Sequence, residues 1–237
     1  MRPLVLAHRG APREDPENSL AAFRRLSTLG VDGVELDVQV TSDGVPVVAH
    51  DVSLGGHRIE ALTYEALREM QGAALQDDMR IPTLDAVLAV IPDHFLVNLE
   101  IKSEHSGPNI AAAINGAHSC YRIVVTSFDA TPLIRVRQAA PEIRTGLVVG
   151  MQVADLLGPV RDALGDVVSV YWKLVTPELV RTMRENGVGV FVWTVNTETA
   201  AERMVELGVD AMITDEPGAI VPVLDRVRPR PAAAAPA

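Results

Sequence analysis

Eight short apolar runs recur along the chain, near residues 4–7, 33–40, 96–101, 122–127, 144–149, 167–171, 189–194 and 210–213. They are rich in Val, Ile and Leu and of strand length, and segments with helical period lie between most of them. Strands separated by helices pair in parallel, because a parallel neighbour needs a long crossover. Eight such units argue for a closed α/β structure, a single (β/α)8 TIM barrel. The alternative is an open doubly wound sheet, whose usual glycine-rich phosphate loop is absent here. Helices are expected at 19–29, 63–70 and 83–91, the last ended by Pro92. Thr131-Pro132 and Thr176-Pro177 read as N-caps followed by Pro at the first helical position. Gly30, Gly187 and Gly208 read as helix stops. The stretch 52–60 has two glycines and no clear period, so a loop is expected there.

The second run carries the first chemical signal. From Val34 to Val40, apolar residues alternate with Glu35, Asp37 and Gln39. A strand with that pattern points two carboxylates the same way. Asp43-Gly44 then signals a two-residue type I′ hairpin, which adds an extra strand after the second barrel strand. In that register Ser42 pairs with Val45, and Asp37 lies opposite His50. His8 and Arg9 end the first strand, while Glu100 and Lys102 end the third. Strand ends are where barrel enzymes place their chemistry.

Those residue types suit a particular task. Glu35, Asp37 and Glu100 offer oxygen ligands for one hard divalent cation, Mg²⁺ or Ca²⁺. With one cysteine and scattered histidines, a structural zinc site is not expected. Imidazoles titrate near neutral pH and can take or give a proton. Arg9 can grip two phosphate oxygens in a planar fork, and Lys102 adds a mobile point charge. The alternative for Lys102 is an ion pair with Glu100 or Glu104. Phe128 and Trp193 follow or end late strands, where they either wall a leaving-group site, with a face for a choline-type cation, or simply pack.

The motifs HRG at 8–10, PENS at 16–19, ELDVQVTSDGVPVVAHD at 35–51, EIK at 100–102, WTVN at 193–196 and TDEP at 214–217 fall in one order. Together they make the chain resemble the glycerophosphodiester phosphodiesterase family over nearly its whole length. The resemblance implies metal-dependent hydrolysis of a glycerophosphodiester to glycerol 3-phosphate and an alcohol. It implies Glu35, Asp37 and Glu100 as the metal ligands and carries His8 and His50 over as the acid–base pair. Spacing does not say which histidine is the acid. Attack by water and attack by the substrate's own glycerol hydroxyl, through a cyclic phosphate, are both compatible with it. Glu17-Asn18 is similar to the family's Glu-Asn pair. Glu17 either orients Arg9 or meets substrate hydroxyls, and Asn18 is expected to cap the following helix. Asp215 is expected to fix the closing loop. After His50-Asp51 the chain reads VSLGGHRIEALTYEAL, shorter than the family's usual segment and without its Arg and paired threonines. That departure leaves the identity of the alcohol open. The alternative functions are a phospholipase D-like hydrolase of lysophospholipids and, with less support, a barrel that only binds phosphorylated ligands.

Composition bounds partners more than fold. The 237 residues are 48% hydrophobic and 22% charged, which suits one barrel domain over 1–227 followed by a disordered Pro- and Ala-rich tail at 228–237. A net charge of −10 argues against nucleic acid and against docking on anionic lipid. It also means that a phosphodiester needs local positive charge to bind. The single cysteine, Cys120, excludes an internal disulfide, and the four-residue apolar run before His8 is too short for a signal peptide or a membrane span. A cytoplasmic protein acting on a small-molecule phosphodiester is the expectation.

Overall fold

A computed structural model of the chain describes residues 2–13, 15–72, 74–104, 106–116 and 122–227. The readings made for Cys120 and the 228–237 tail lie outside those residues.

The eight runs form eight parallel strands of a closed barrel. β1 (Leu4–His8) and β2 (Gly33–Val40) begin it. Three short strands follow outside the ring: β3 (Pro46–Val48), β4 (Ser53–Leu54) and β5 (His57–Arg58). The barrel then continues through β6 (Leu96–Ile101), β7 (Ile123–Ser127), β8 (Arg144–Val149), β9 (Val167–Tyr171), β10 (Gly189–Trp193) and β11 (Ala211–Thr214). Barrel neighbours pair in sequence order, and β1 closes the ring by pairing with both β2 and β11. Helices pack on the outside. The buried aliphatic residues of the strands, such as Val34, Leu36 and Val38, meet helix residues such as Phe23, Leu84 and Ile110 there. Inside the ring, Leu6, Val124, Val167, Phe191, Ala211 and Ile213 form a separate apolar cluster that fills part of the barrel. Close approach there requires Gly33, where a Cβ would stand 2.1 Å from the Leu96 carbonyl oxygen and 2.7 Å from the Leu6 side chain.

Local signals account for most element ends. Thr63, Thr83, Thr176 and Thr197 each accept a backbone N–H three residues on, and each starts a helix. Gly208 closes the helix Glu198–Leu207 in the left-handed conformation at φ +78°. Other expectations need correction. Thr131 is not an N-cap: its helix spans Ala130–Ala139, and the Asp129 side chain caps it by accepting from the Thr131 N–H. Asp129 is as good a cap as threonine and lies two residues earlier, so the helix starts there. The first helix is shorter than 19–29: it spans Leu20–Arg25, capped by Ser19, and tightens into a 3-10 turn at Leu26–Thr28. The helix expected at 83–91 spans Leu84–Leu88. The expected loop at 52–60 contains the β4–β5 hairpin and runs into a 3-10 turn at Ile59–Ala61. Val47, Ala49, Ile59 and Leu67 bury one another beneath it, so this insert has a small core of its own.

The hairpin after β2 also differs from its expected register. The pairs are Val38 with Val48, Gln39 with Val47 and Val40 with Pro46. Thr41 therefore faces Val45 across a three-residue loop, and Ala49, not His50, pairs with Asp37. A type I′ turn needs positive φ at both Asp43 and Gly44, but only Gly44 adopts it, at +83°. The Asp43 carboxylate instead accepts from the Thr41 hydroxyl and the Tyr64 N–H, which holds the loop to the insert.

Candidate active site

β2 organises the site. One of its edges pairs with β6 along Gly33–Val38. The other edge is shared: β1 occupies it over Gly33–Glu35, and β3 over Val38–Val40. The C-terminal ends of β1 and β3 thus approach each other along one edge. His8 ends β1 in register with Glu35, and His50 follows Ala49, which donates its N–H to the Asp37 carbonyl. Both histidines line one cavity of about 200 Å³ with Arg9, Glu35, Glu100, Lys102, Phe128 and Trp193. A larger groove of about 350 Å³ lies between the loop after β8 and the helix Pro177–Glu185.

The turn after β1 is strained. Arg9, Gly10 and Ala11 have φ of +50°, +86° and +66°, and Asn18 has +57°. Non-glycine residues held there cost on the order of 1 kcal/mol each and persist only where surrounding contacts over-determine them. Here the Arg9 N–H donates to the Glu35 carbonyl, and the Asn18 N–H donates to the Arg9 carbonyl. The turn carries the Arg9 side chain back over the barrel mouth, into the lining of the cavity.

Glu35, Asp37 and Glu100 each offer an oxygen within 4.8 Å of the others. Glu35 and Asp37 are almost wholly buried. Burial, and then the charge of Asp37, pushes the Glu35 carboxyl up to about 8. Asp37 moves the other way. Burial alone would raise it, but the Lys102 ammonium, the Arg9 guanidinium and the Asn18 amide hold it below the usual carboxylate range. Lys102 Nζ lies 2.9 Å from Asp37 Oδ1 and also donates to Glu100. Arg9 Nε lies 3.1 Å from Asp37 Oδ2, and Arg9 Nη1 donates to both Glu17 oxygens at 3.1 and 3.0 Å. The three carboxyl groups crowd one another, and their donors are hard oxygens. That donor set fits a divalent cation such as Mg²⁺ or Ca²⁺.

Two partnerships in the site are not legible in the sequence. Asp215 is expected to fix the closing loop, and it does accept from Asn196 Nδ2 at 2.7 Å. It also lies 2.5 Å from His8 Nδ1, which leaves Nε2 3.7 Å from Glu35. Burial would lower the His8 pKa, but the Asp215 hydrogen bond and the Glu35 and Asp215 charges outweigh it, so the net shift is upward. Asn18 does not cap the first helix; Ser19 does. Asn18 instead donates to Asp37 Oδ2 at 2.9 Å from a buried position. The TDEP and PENS motifs mark both positions without stating their partners. His50 is less enclosed, with its Nδ1 3.0 Å from the exposed Asp51 carboxylate.

Across the mouth the walls are aromatic. Phe128 meets Trp193 edge-on with ring centres 5.8 Å apart, and Tyr171 lies 5.6 Å from the same indole. Trp193 Nε1 donates to the Ser169 carbonyl, which fixes the ring. Among the described residues no helix is long and apolar enough to cross a membrane.

Comparison with known proteins gives a consistent picture. Residues 8–219 match the model of the glycerophosphoryl diester phosphodiesterase family. A glycerophosphodiester phosphodiesterase from Caldanaerobacter subterraneus subsp. tengcongensis is 36% identical, over 93% of this chain and 97% of its own length. A crystal structure of a putative glycerophosphoryl diester phosphodiesterase from Silicibacter pomeroyi superposes with a TM-score of 0.83 at 27% identity, covering 95% of this chain and 94% of that one. A phosphodiesterase from Oleispira antarctica, solved in complex with the product sn-glycerol-3-phosphate, superposes at 0.81 with 25% identity, covering 94% and 97% of the two chains.

Proposed function

The chain belongs to the glycerophosphoryl diester phosphodiesterase family, and from that premise we propose that its hydrolysis of glycerophosphodiesters uses one divalent cation and a pair of histidines. The observation that carries this reading is the convergence of His8, His50, Arg9, Lys102, Glu35 and Glu100 on one small cavity. The substrate is a glycerophosphodiester, and the products are glycerol 3-phosphate and an alcohol.

Charge balance motivates the cation. Arg9 and Lys102 are both ion-paired, Arg9 to Glu17 and Asp37 and Lys102 to Asp37 and Glu100, so three carboxylates already answer two cations. An anionic diester therefore meets a cavity that does not favour it until further positive charge is supplied. Glu35, Asp37 and Glu100 would hold the ion. Bound there, Mg²⁺ or Ca²⁺ supplies positive charge to the phosphoryl oxygens as the transition state forms. Arg9 and Lys102 orient the phosphate. Glu17 and Asp37 hold the Arg9 side chain in place.

The histidines move the protons. As the attacking oxygen bonds to phosphorus, one imidazole accepts its proton. The bond from phosphorus to the alcohol oxygen breaks, and the other imidazole gives that oxygen a proton. Asp215 accepts a hydrogen bond from His8 Nδ1–H and so presents Nε2 to the cavity. Phe128 and Trp193 wall the side on which the alcohol leaves.

The direct test is hydrolysis of glycerophosphocholine by the purified protein, treated with EDTA and then restored with Mg²⁺ or Ca²⁺ separately. The expected result is loss with EDTA and recovery with one ion, with glycerol 3-phosphate as product. Turnover that ignores both chelator and added metal rejects the cation assignment.

A further inference from the structure

Both cationic donors in the cavity are already engaged by carboxylates, Arg9 by Glu17 and Asp37 and Lys102 by Asp37 and Glu100. A shared cation attracts a phosphoryl oxygen more weakly than a free one. The cavity holds a further donor, a neutral one, that has no part in the chemistry described above. Asn98 lines it, two residues before Glu100 on β6 and therefore on the same face of that strand. It is in register with Glu35 on β2 and is only 2% exposed.

The Asn98 amide is anchored at one end. The Thr126 hydroxyl, wholly buried on the neighbouring strand β7, donates to Asn98 Oδ1 at 3.0 Å. That bond leaves Nδ2 to the cavity, where it donates to no described residue. Turned the other way, the amide would set Oδ1 among the carboxylates, acceptor against acceptor. Buried amide N–H groups almost always have an acceptor, and an exception at a reaction site calls for a ligand to complete it. Asn98 is buried, fixed by Thr126 and short of an acceptor in the cavity where His8 and His50 meet.

We propose that Asn98 Nδ2 donates a hydrogen bond to a non-bridging phosphoryl oxygen in the transition state, which makes Asn98 a further catalytic residue and Thr126 the residue that positions it. The inference rests on the hydrolytic reading above, since that reading places the reacting phosphorus in this cavity. Asn98 transfers no proton, and the two imidazoles keep that task. A donor fixed in advance needs no reorganisation as the reaction proceeds. Being neutral, it also adds no charge for the neighbouring carboxylates to claim.

The test compares Asn98→Ala, Thr126→Val and Thr126→Ser on glycerophosphocholine. Asn98→Ala is expected to lose about 10²- to 10³-fold in kcat with KM within about threefold. Thr126→Val, which keeps the shape but not the hydroxyl, is expected to lose about threefold to tenfold in kcat, and Thr126→Ser is expected to restore it. If Asn98→Ala does not fold, the Thr126 pair decides, and equal kcat in Thr126→Val and Thr126→Ser overturns the proposal. Calorimetric binding of Mg²⁺ or Ca²⁺ is expected to be alike in the native protein and Asn98→Ala. An ion bound at least about tenfold more weakly by Asn98→Ala overturns the donor role and makes Oδ1 a cation ligand instead. Orthovanadate, which takes up the five-coordinate geometry of the reacting phosphorus, separates this inference from the hydrolytic reading. If no diester is turned over but Asn98→Ala binds vanadate at least about tenfold more weakly than the native protein, the hydrolytic reading fails and the Asn98 donor stands. If the native protein and Asn98→Ala turn over glycerophosphocholine with the same kcat, the donor fails and the hydrolytic reading stands.

Discussion

The two sides of the barrel mouth are built on opposite principles. The side formed by β1, β2 and β6 is charged, largely buried and cross-braced: Arg9, Glu17, Asn18, Glu35, Asp37, Glu100 and Lys102 are each held by a named partner or by a place in the carboxylate cluster. The side formed by the ends of β7, β8 and β10 is apolar and open, with Phe128 and Met151 largely exposed. Charges must be fixed in advance to stabilise a transition state, because reorganising them during reaction costs the energy they would supply. Apolar contact is non-directional and tolerates a range of shapes. The charged side is thus suited to setting the rate, and the open side to selecting among substrates.

The largest expected effect tests that division directly. His8→Ala and His50→Ala should each lower kcat by roughly 10²–10⁴. Phe128→Ala, across the mouth, should leave kcat within about threefold, in line with the modest energy of an aromatic edge contact. Steady-state kinetics on glycerophosphocholine decides it, and a Phe128→Ala loss as large as the histidine losses would dissolve the distinction.

A smaller effect separates the two histidines. His8 is tethered by Asp215, itself braced by Asn196, whereas His50 meets the 85% exposed Asp51. Asp215→Asn should cost about 10- to 100-fold in kcat by loosening His8 and reversing the sense of its hydrogen bond, and Asp51→Asn should cost about twofold or less. Equal losses would mean that both histidines depend alike on a carboxylate.

The smallest effect concerns stability rather than rate. The Glu35 carboxyl sits at about 8 in the folded chain, against its ordinary value of 4.5. Between those values the folded chain holds a proton that the unfolded chain has released, so metal-free stability should fall as pH rises from about 4.5 to 8. His8, raised above 6.5, acts in the same direction: its contribution is full below that value and fades as pH climbs through the folded one. Urea melts in EDTA should show the decline, Glu35→Gln should reduce it, and saturating Mg²⁺ or Ca²⁺ should flatten it. A metal-free profile that is level across this range removes Glu35 from the account.

Much of the barrel is legible in the sequence because its signals are local. A strand declares itself by period, and a helix by the threonine before it, as at Thr63, Thr83, Thr176 and Thr197. The residues that converge on the cavity, His8, Arg9, Glu35, His50, Glu100 and Lys102, are likewise visible as polar groups within or just after strands. The failures share a cause. The hairpin register differs by one because the Asp43 carboxylate bonds Tyr64, 21 residues away, and does not adopt the conformation that a type I′ turn requires. Asn18 reads as a cap because capping is a local habit of asparagine, but Asp37 lies 19 residues on and takes its amide.

The eight strand–helix units, the chemical types gathered for the site and the resemblance that names the reaction are all readable along the chain, because periodicity, capping and motif order are written in neighbouring residues. Which charges face one another was settled by the closing of the barrel. Asp215 reaches His8 across 207 positions because β1 and β11 are adjacent in the closed ring, and the larger groove exists because the loop after β8 meets the helix Pro177–Glu185. Coulomb and hydrogen-bond energies fall off over a few ångströms in space, and chain position carries that distance only after the barrel has closed.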